Sequence, residues 1–231
     1  MVYALGEILL VTVGILIALQ VNTWNEQRKA KHKESSILLG LYTESIGNRE
    51  KLKTVIQHHQ ALLETTKGMM NLFFLPDSGL NEYNLDSLIE RTLDFRDFSP
   101  SKSVIQDLIS SGNLGLISSE NLRALIFEWE RETEELKESY ETLDEGAAQL
   151  FVPYLTKNAS MKNIDRYGPL NWEEKSRFNS PTHRLFQDLE FENLLDNHAW
   201  GLANYLRALD KLEEIIEKII SETNLDPAPE K

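Results

Sequence analysis

The sequence predicts an all-α protein in which an N-terminal transmembrane helix continues into an antiparallel helical bundle with a long first helix. Three observations predict this fold class. Apolar residues follow one another over about twenty positions near the N-terminus, apolar positions recur at spacings of four and three over residues 122–150, and no segment combines two-residue alternation with a hairpin turn. Amphipathic helices without strands bury their apolar faces against one another, as in a bundle.

The composition excludes several classes of function. The 231 residues contain 37 acidic and 24 basic side chains, a formal net charge of −13, whereas a nucleic-acid-binding protein needs a basic surface. The absence of Cys excludes disulfide scaffolds, thiolate metal sites and cysteine nucleophiles. Hydrophobic residues make up 41% of the chain and charged residues 26%, as in folded domains. We therefore expect a folded chain without a nucleic-acid partner.

The N-terminal apolar run covers residues 2–21 and contains one charge, Glu7. Its length is what a helix needs to cross the hydrocarbon core of a bilayer. Trp24 follows the run, and four basic residues between positions 28 and 33 come next, an order typical of a membrane interface. A cleavable signal peptide fits less well because no basic segment precedes the run, and a buried core helix is rarely apolar on every side. We predict a transmembrane anchor over residues 1–27 with Trp24 at the membrane interface.

One face of this helix carries mostly small residues. The positions spaced alternately three and four apart are Ala4, Glu7, Val11, Gly14, Ala18 and Val21. Small residues let two helices approach closely, and an acidic side chain at membrane depth normally faces protein or water. This pattern predicts an association seam of Glu7, Gly14 and Ala18 for a second copy or for another membrane protein. The alternative, in which Glu7 reaches the membrane surface and the small residues are incidental, stays open.

Residues 3–29 resemble the signature of a bacterial family of uncharacterised membrane-anchored proteins. The shared motifs are a Gly-Glu-Ile start at residues 6–8, a Gly-Ile-Leu-Ile-Ala-Leu-Gln centre at 14–20 and an Asn-x-Trp-Asn-Glu end at 22–26. The segment 110–117 also looks like a family feature, and the rest of the chain is similar mainly in helical pattern and length. The resemblance implies a membrane anchor and a helical fold, and it implies no activity.

The distribution of basic residues bears on membrane topology. Lys and Arg near a membrane-spanning helix tend to stay in the cytoplasm. In this sequence they follow the helix, an order that by itself would place the following domain in the cytoplasm. Members of the similar family usually carry a further basic segment before the helix, which would place the following domain in the periplasm. The resulting prediction is a single-pass protein of the bacterial inner membrane with its domain in the periplasm.

Beyond the anchor, the sequence predicts one α-helical bundle domain over residues 28–225 and a disordered tail over residues 226–231. No Pro or Gly interrupts residues 21–40, so the first helix is expected to continue from the anchor to about Met70, before a break at residues 76–79.

Shorter elements and two further long helices follow. The shorter predicted elements are a helix over residues 85–93, helix starts at Ser99-Pro100 and Ser180-Pro181, and a mostly irregular stretch over residues 153–181. The four-three repeat consists of Leu122, Ile126, Trp129, Thr133, Leu136, Tyr140, Leu143, Ala147 and Leu150. The last helix is expected over residues 183–223, with a kink near Gly201.

The common catalytic and cofactor motifs are absent from the sequence, including H-E-x-x-H, the P-loop, G-x-S-x-G and G-x-G-x-x-G. None of the 5 His residues has a carboxylate three positions earlier, which excludes the Glu-x-x-His pairs of di-iron bundles. The neighbours His58 and His59 lie about 100° apart on a helix and cannot easily share a metal ion, and His59 is expected in the core or at an interface. We predict no catalytic residue, no metal and no cofactor, in a protein that is not an enzyme.

Two surface features have alternative interpretations. Residues 128–145 contain nine acidic side chains. They form a solvated helix face, or they bind divalent cations or a basic partner; the solvated face is favoured. Tyr167 and Trp172 form a binding surface or a small satellite core, and the sequence does not distinguish the two.

The predicted function is that of a membrane-anchored helical bundle acting as a protein–protein interaction or scaffold module. Its partner would be a second copy or a membrane protein, without a small-molecule substrate. The alternative is a periplasmic sensory or ligand-binding bundle, whose pocket would be lined by polar groups such as His59, Arg96 or Tyr140. A filled core favours the first function and a roomy polar cavity the second.

Overall fold

A computed structural model describes the backbone of residues 2–224 and the side chains of residues 10–224. The helices are α1 (Val2–Met70), α2 (Asp77–Leu80), α3 (Leu85–Thr92), α4 (Ser103–Ser110), α5 (Glu120–Gly146), α6 (Val152–Asn158), α7 (Met161–Ile164) and α8 (Leu189–Thr223). Short 3-10 helices cover Asn71–Phe74, Asn113–Leu116, Asp165–Tyr167 and Thr182–Gln187, and a π-helical turn covers Ala147–Phe151. The described residues contain no β-strand, which confirms the all-helical class, the helical bundle and the long first helix. The predicted tail, residues 226–231, lies outside the described residues.

The structure corrects the prediction of a membrane-spanning helix. In the part of the chain that it describes, no helix is long and apolar enough to cross a membrane. This finding contradicts the transmembrane anchor over residues 1–27 and the single-pass inner-membrane localisation with a periplasmic domain. The side chains of residues 2–9 lie outside the described part.

Helix α1 ends at Met70, as the sequence predicts, and a 3-10 turn leads into Pro76. Its buried face contains both apolar and polar side chains. The buried positions are Leu41, Ser45, Asn48, Leu52, Ile56, His59, Leu62, Thr66 and Met69. The apolar pattern of the sequence fades around residues 45–50 because Ser45 and Asn48 occupy positions on this buried face.

The chain divides into two compact units. Of the described residues, the first unit contains 2–46, 102–126 and 218–224, and the second contains 47–101 and 127–217. Helices α1, α5 and α8 contribute residues to both.

In the first unit, glutamate side chains bind the N-terminal ends of helices. The Glu44 carboxylate accepts hydrogen bonds from Ser103 Oγ at 2.7 Å and from the Val104 N–H at 3.0 Å, at the first turn of α4. The Glu222 carboxylate accepts a hydrogen bond from Ser119 Oγ, immediately before α5. Free N–H groups at a helix N-terminus favour nearby carboxylates, so these long-range contacts stabilise the starts of α4 and α5.

The predicted helix start at Ser99-Pro100 is wrong, because α4 begins at Ser103. Residues 94–102, which we name the connecting segment, have no regular secondary structure. In the second unit, the Asn48 side chain donates to the Ser101 carbonyl and accepts from the Ser101 N–H. Both backbone polar groups of Ser101 are therefore bonded to α1 and are unavailable to a helix at this point.

The C-terminal third of the chain differs from the prediction in three places. Residues 153–181 include the helices α6 and α7 before the irregular stretch begins, so less of this segment is irregular than expected. The start predicted at Ser180-Pro181 introduces a 3-10 helix, and α8 begins only at Leu189. Helix α8 continues without a break through Gly201, so the predicted kink is absent from the assigned helix.

The four-three repeat of α5 is buried as predicted up to Ala147, except that Tyr140 is half-buried, and it shifts after Ala147. The π-helical turn adds a residue to one helical turn and moves the following side chains around the axis. Leu150, which the repeat predicts to be buried, is 57% exposed, whereas Phe151 is 1% exposed.

In the second unit, α5 and α8 run antiparallel to each other. Glu132 pairs with Lys211 at 2.7 Å, and a Cβ built on Gly201 would lie 3.0 Å from Leu143 Cδ1. The two helices approach so closely here that a larger residue than Gly at position 201 would displace Leu143. A separate apolar core of this unit comprises Met69, Leu72, Leu80, Leu85, Ile89, Phe151, Tyr154, Leu155, Ile164, Leu185, Phe186, Phe191 and Leu195.

Candidate functional site

We name residues 10–33 of α1 the N-terminal arm, because every one of them is exposed to solvent. The predicted seam residues Gly14 and Ala18 lie on this arm, and a Cβ built on Gly14 meets no atom within 4 Å. Trp24 is 63% exposed. The third seam residue, Glu7, lies outside the described side chains. The structure therefore leaves the described part of the seam open to a partner.

The arm is rich in aliphatic side chains. Their exposed fractions lie between 46% and 76%, and they are Leu10, Val11, Val13, Ile15, Leu16, Ile17, Leu19 and Val21. Directly after the arm, Glu34 accepts a hydrogen bond from the Ser118 N–H and joins α1 to the residues that precede α5. Apolar surface of this extent on a folded chain usually marks an interaction site.

The three polar residues predicted for a ligand pocket come together in the second unit, where His59 is buried, Tyr140 is half-buried and the Arg96 side chain is exposed. The backbone N–H of Arg96 donates to His59 Nε2 at 3.3 Å. The ring of Tyr205 lies 4.9 Å from the His59 ring and 5.4 Å from the Tyr140 ring. We name His59, Tyr140, His198 and Tyr205 the histidine–tyrosine cluster. Four cavities among the described residues are lined by residues other than His59, Arg96 and Tyr140.

The cluster holds the chain around the connecting segment against the long helices. The hydroxyl of Tyr205 accepts a hydrogen bond from the Phe98 N–H at 2.8 Å, and His198 Nε2 lies 2.8 Å from the Thr92 carbonyl oxygen. These bonds satisfy backbone groups that have no partner in a helix or a sheet.

Burial determines the protonation of the cluster. It lowers the pKa of both His59 and His198, and it raises the pKa of the Tyr205 phenol. At neutral pH both imidazoles are therefore neutral and the phenol keeps its proton. A neutral His198 donates from Nε2 to the Thr92 carbonyl, and its Nδ1 is then an acceptor.

The described residues contain no group of three or more His, Asp or Glu side chains that could hold a metal ion. The rings of His58 and His59 lie 5.6 Å apart and at 81° to each other. His58 Nε2 contacts the carbonyl oxygen of Asp94, while His59 bonds to Val55 and Arg96. The two imidazoles therefore have separate partners.

Most side chains of the acidic run are exposed, in agreement with a solvated helix face. Glu132 is the exception at 7% exposure. Its carboxylate pairs with Lys211 at 2.7 Å and with Arg131 at 2.8 Å. The hydrogen bond from Lys211 is the main cause that lowers the pKa of Glu132, so this carboxyl stays ionised.

Tyr167 and Trp172 are 44% and 47% exposed, so neither ring lies in a closed satellite core. The guanidinium of Arg166 donates to the backbone carbonyls of Trp172 and Glu173 and fixes this irregular segment. The rings remain accessible to a partner.

The sequence analysis missed His198 and Tyr205, although a signal for them exists. Nine buried positions on α8 follow a four-three repeat, namely Phe191, Leu195, His198, Leu202, Tyr205, Leu209, Leu212, Ile216 and Ile219. A search of this helix for polar residues in an otherwise apolar repeat identifies both cluster members.

The fold and these surfaces define an all-helical bundle protein with an exposed apolar arm and a buried cluster of histidine and tyrosine side chains. No known protein-family model, curated protein or solved structure matches the chain. The resemblance of residues 3–29 to a family of membrane-anchored proteins therefore stays a prediction from the sequence.

Proposed function

We propose that the protein is a non-catalytic interaction module that self-associates through the N-terminal arm. One observation carries the proposal: the arm presents eight aliphatic side chains, each at least 46% exposed, on a helix that no other part of the described chain covers. A second copy of the chain offers the same apolar surface and needs no further partner to cover it.

The helical state of the arm supports a packed partner. Between positions 11 and 21, six residues are β-branched and one is Gly, types that favour the helix only weakly. Tertiary or quaternary packing supplies most of the stability of such helices. Contact with a second arm would therefore stabilise both helices.

The amount of apolar surface is sufficient for a specific interface. A fully buried aliphatic side chain removes about 60–120 Å² from water, so the eight partly exposed side chains of one arm offer on the order of 500 Å². Two arms together then reach about 1,000 Å², the lower limit of specific interfaces. Val11, Gly14 and Ala18 are the residues at which two arms could approach most closely.

The experiment compares the variants Leu19→Glu and Leu39→Glu by sedimentation equilibrium of the full chain. Both leucines lie on α1 with similar exposed fractions, 58% and 62%, but only Leu19 belongs to the arm. We expect wild type and Leu39→Glu to form oligomers. Leu19→Glu should weaken association at least about a hundredfold, because each of two copies loses about 1.5 kcal/mol of apolar burial.

A monomeric wild type at all concentrations would overturn the proposal. Equal weakening of self-association in Leu19→Glu and Leu39→Glu would also overturn the proposal, because the effect would then come from the added charge and not from the arm. Circular dichroism of each variant establishes that the helices are intact.

A further inference from the structure

A cavity of about 210 Å³ lies in the second unit, beside the π-helical turn and α8. Its floor is formed mainly by apolar and small residues, namely Leu143, Ala147, Phe151, Leu194 and Gly201. At about 30 Å³ for each water-sized group, this volume has room for roughly seven non-hydrogen atoms. The size is that of a single six-membered ring with one or two small substituents.

The π-helical turn and small side chains make this space. The turn rotates Leu150 out of the buried face to the rim of the cavity, and Trp200 on α8 stands at the rim as well. Gly146 leaves its position open, since a Cβ built there meets no atom within 4 Å. π-Helical turns occur frequently at functional sites.

The lining selects for an uncharged ligand with an aromatic body. None of the eleven residues that line the cavity is Asp, Glu, Lys or Arg. A charged ligand would be desolvated there without a counter-charge. The Phe151 and His198 rings, 5.2 Å apart, provide aromatic surfaces for a ring to contact.

Thr142, Asn197 and His198 contribute polar side chains to the lining, and of these three only His198 is buried. It is 5% exposed, lines the cavity and uses Nε2 as the donor to Thr92. Its Nδ1 is therefore an acceptor, and no described residue donates to it. A ligand that carries one O–H or N–H group would satisfy this atom.

We propose that this cavity binds a small, uncharged aromatic molecule with a single ring and a single hydrogen-bond donor, such as a phenol, which donates to His198 Nδ1. The site is separate from the N-terminal arm, so it adds a ligand to the proposed interaction module. The ring of the ligand packs against the apolar floor of the cavity, and the hydrogen bond to His198 fixes the orientation of the ligand.

The experiment titrates the full chain with p-cresol and with toluene, which share the ring and the methyl group but differ in the hydroxyl. Calorimetry should give a Kd for p-cresol at least about tenfold below that for toluene, because toluene leaves the imidazole acceptor unpaired. The ¹⁵N chemical shift of His198 Nδ1 should move on addition of p-cresol and stay unchanged with toluene.

Gly146→Leu tests the location of the site, and Gly68→Leu is its matched control. Both glycines are helical, and a Cβ built on either meets no atom within 4 Å, but only Gly146 lines the cavity. We expect Gly146→Leu to lose at least tenfold in affinity for both ligands and Gly68→Leu to bind like wild type. No binding of p-cresol to wild type, equal affinities for the two ligands, or full binding by Gly146→Leu would each overturn the proposal.

Discussion

Removal of the Tyr205 hydroxyl tests whether the histidine–tyrosine cluster holds the connecting segment. The Tyr205 side chain is fully buried, and its hydroxyl accepts from the Phe98 N–H at 2.8 Å. Burial and, to a smaller extent, the nearby Asp97 carboxylate raise the pKa of this hydroxyl. Tyr205→Phe deletes one oxygen and keeps the ring, so apolar packing changes little.

The expected loss of stability follows from the Phe98 N–H, which loses its hydrogen-bond acceptor in this variant. A buried N–H group without an acceptor costs about 1–3 kcal/mol, so Tyr205→Phe should lower the free energy of unfolding by about 2 kcal/mol. For a chain of this size, about 2–4 °C of Tm corresponds to each kcal/mol, so we expect Tm to fall by about 4–8 °C.

The assay is urea unfolding followed by far-ultraviolet circular dichroism, with an unchanged m value as the sign of an intact fold. Tyr140→Phe is the control, because its ring packs 5.4 Å from that of Tyr205 and the described residues show no hydrogen bond to its hydroxyl. We expect the control to cost less than about 0.5 kcal/mol. A Tyr205→Phe variant as stable as wild type, or an equal loss in Tyr140→Phe, would refute the assigned role of the hydroxyl.

Three further predictions concern pH, the arm and a buried carboxylate. Burial lowers the pKa of His59 and His198 below 6.5, so the unfolded chain binds protons that the folded chain does not. The free energy of unfolding is therefore highest above pH 6.5, where both imidazoles are neutral. It decreases as pH falls below 6.5, by at most about 1.4 kcal/mol per pH unit for each His. Urea titrations at about pH 7 and pH 5.5 measure this loss, and equal values would contradict it. Gly14→Leu should weaken self-association about tenfold by separating the arms, and an unchanged Kd in sedimentation would exclude Gly14 from the interface. Lys211→Met should lower the free energy of unfolding by about 1–2 kcal/mol, because the Glu132 carboxylate then pairs only with the exposed Arg131. Adding Glu132→Gln to this variant should restore part of that free energy, which thermal unfolding measures.

Much of the helical architecture could be read from the sequence because local rules determine it. The spacing of apolar residues predicted the buried face of α5 as far as Ala147, and the break at residues 76–79 predicted the end of α1 near Met70. Asn84 caps α3 by accepting from the Ser87 N–H, as a helix start near Leu85 requires. The period of a helix and the chemistry of its ends depend on residues close in sequence.

The candidate sites were less predictable because their partners lie far apart in the chain. The predicted position of His59 in the core is confirmed, but its contact with Tyr205 joins helices 146 residues apart in sequence. The cavity depends on α8 packing beside the π-helical turn. At this turn the four-three repeat of buried positions ends, because Leu150 is exposed. A sequence repeat contains no information about which side of a turn a second helix will cover.

Sequence patterns alone predict that the chain is helical, that its first helix is long and that α5 buries one face. Tertiary contacts set the start of α4: Glu44 binds its first turn, and Asn48 donates one hydrogen bond to Ser101 and accepts another from it. Tertiary contacts also decide that Phe151, and not Leu150, enters the core. The physical reason is the range of the interactions: helix period acts over a few residues, whereas capping carboxylates and packed side chains act between segments that only folding brings together.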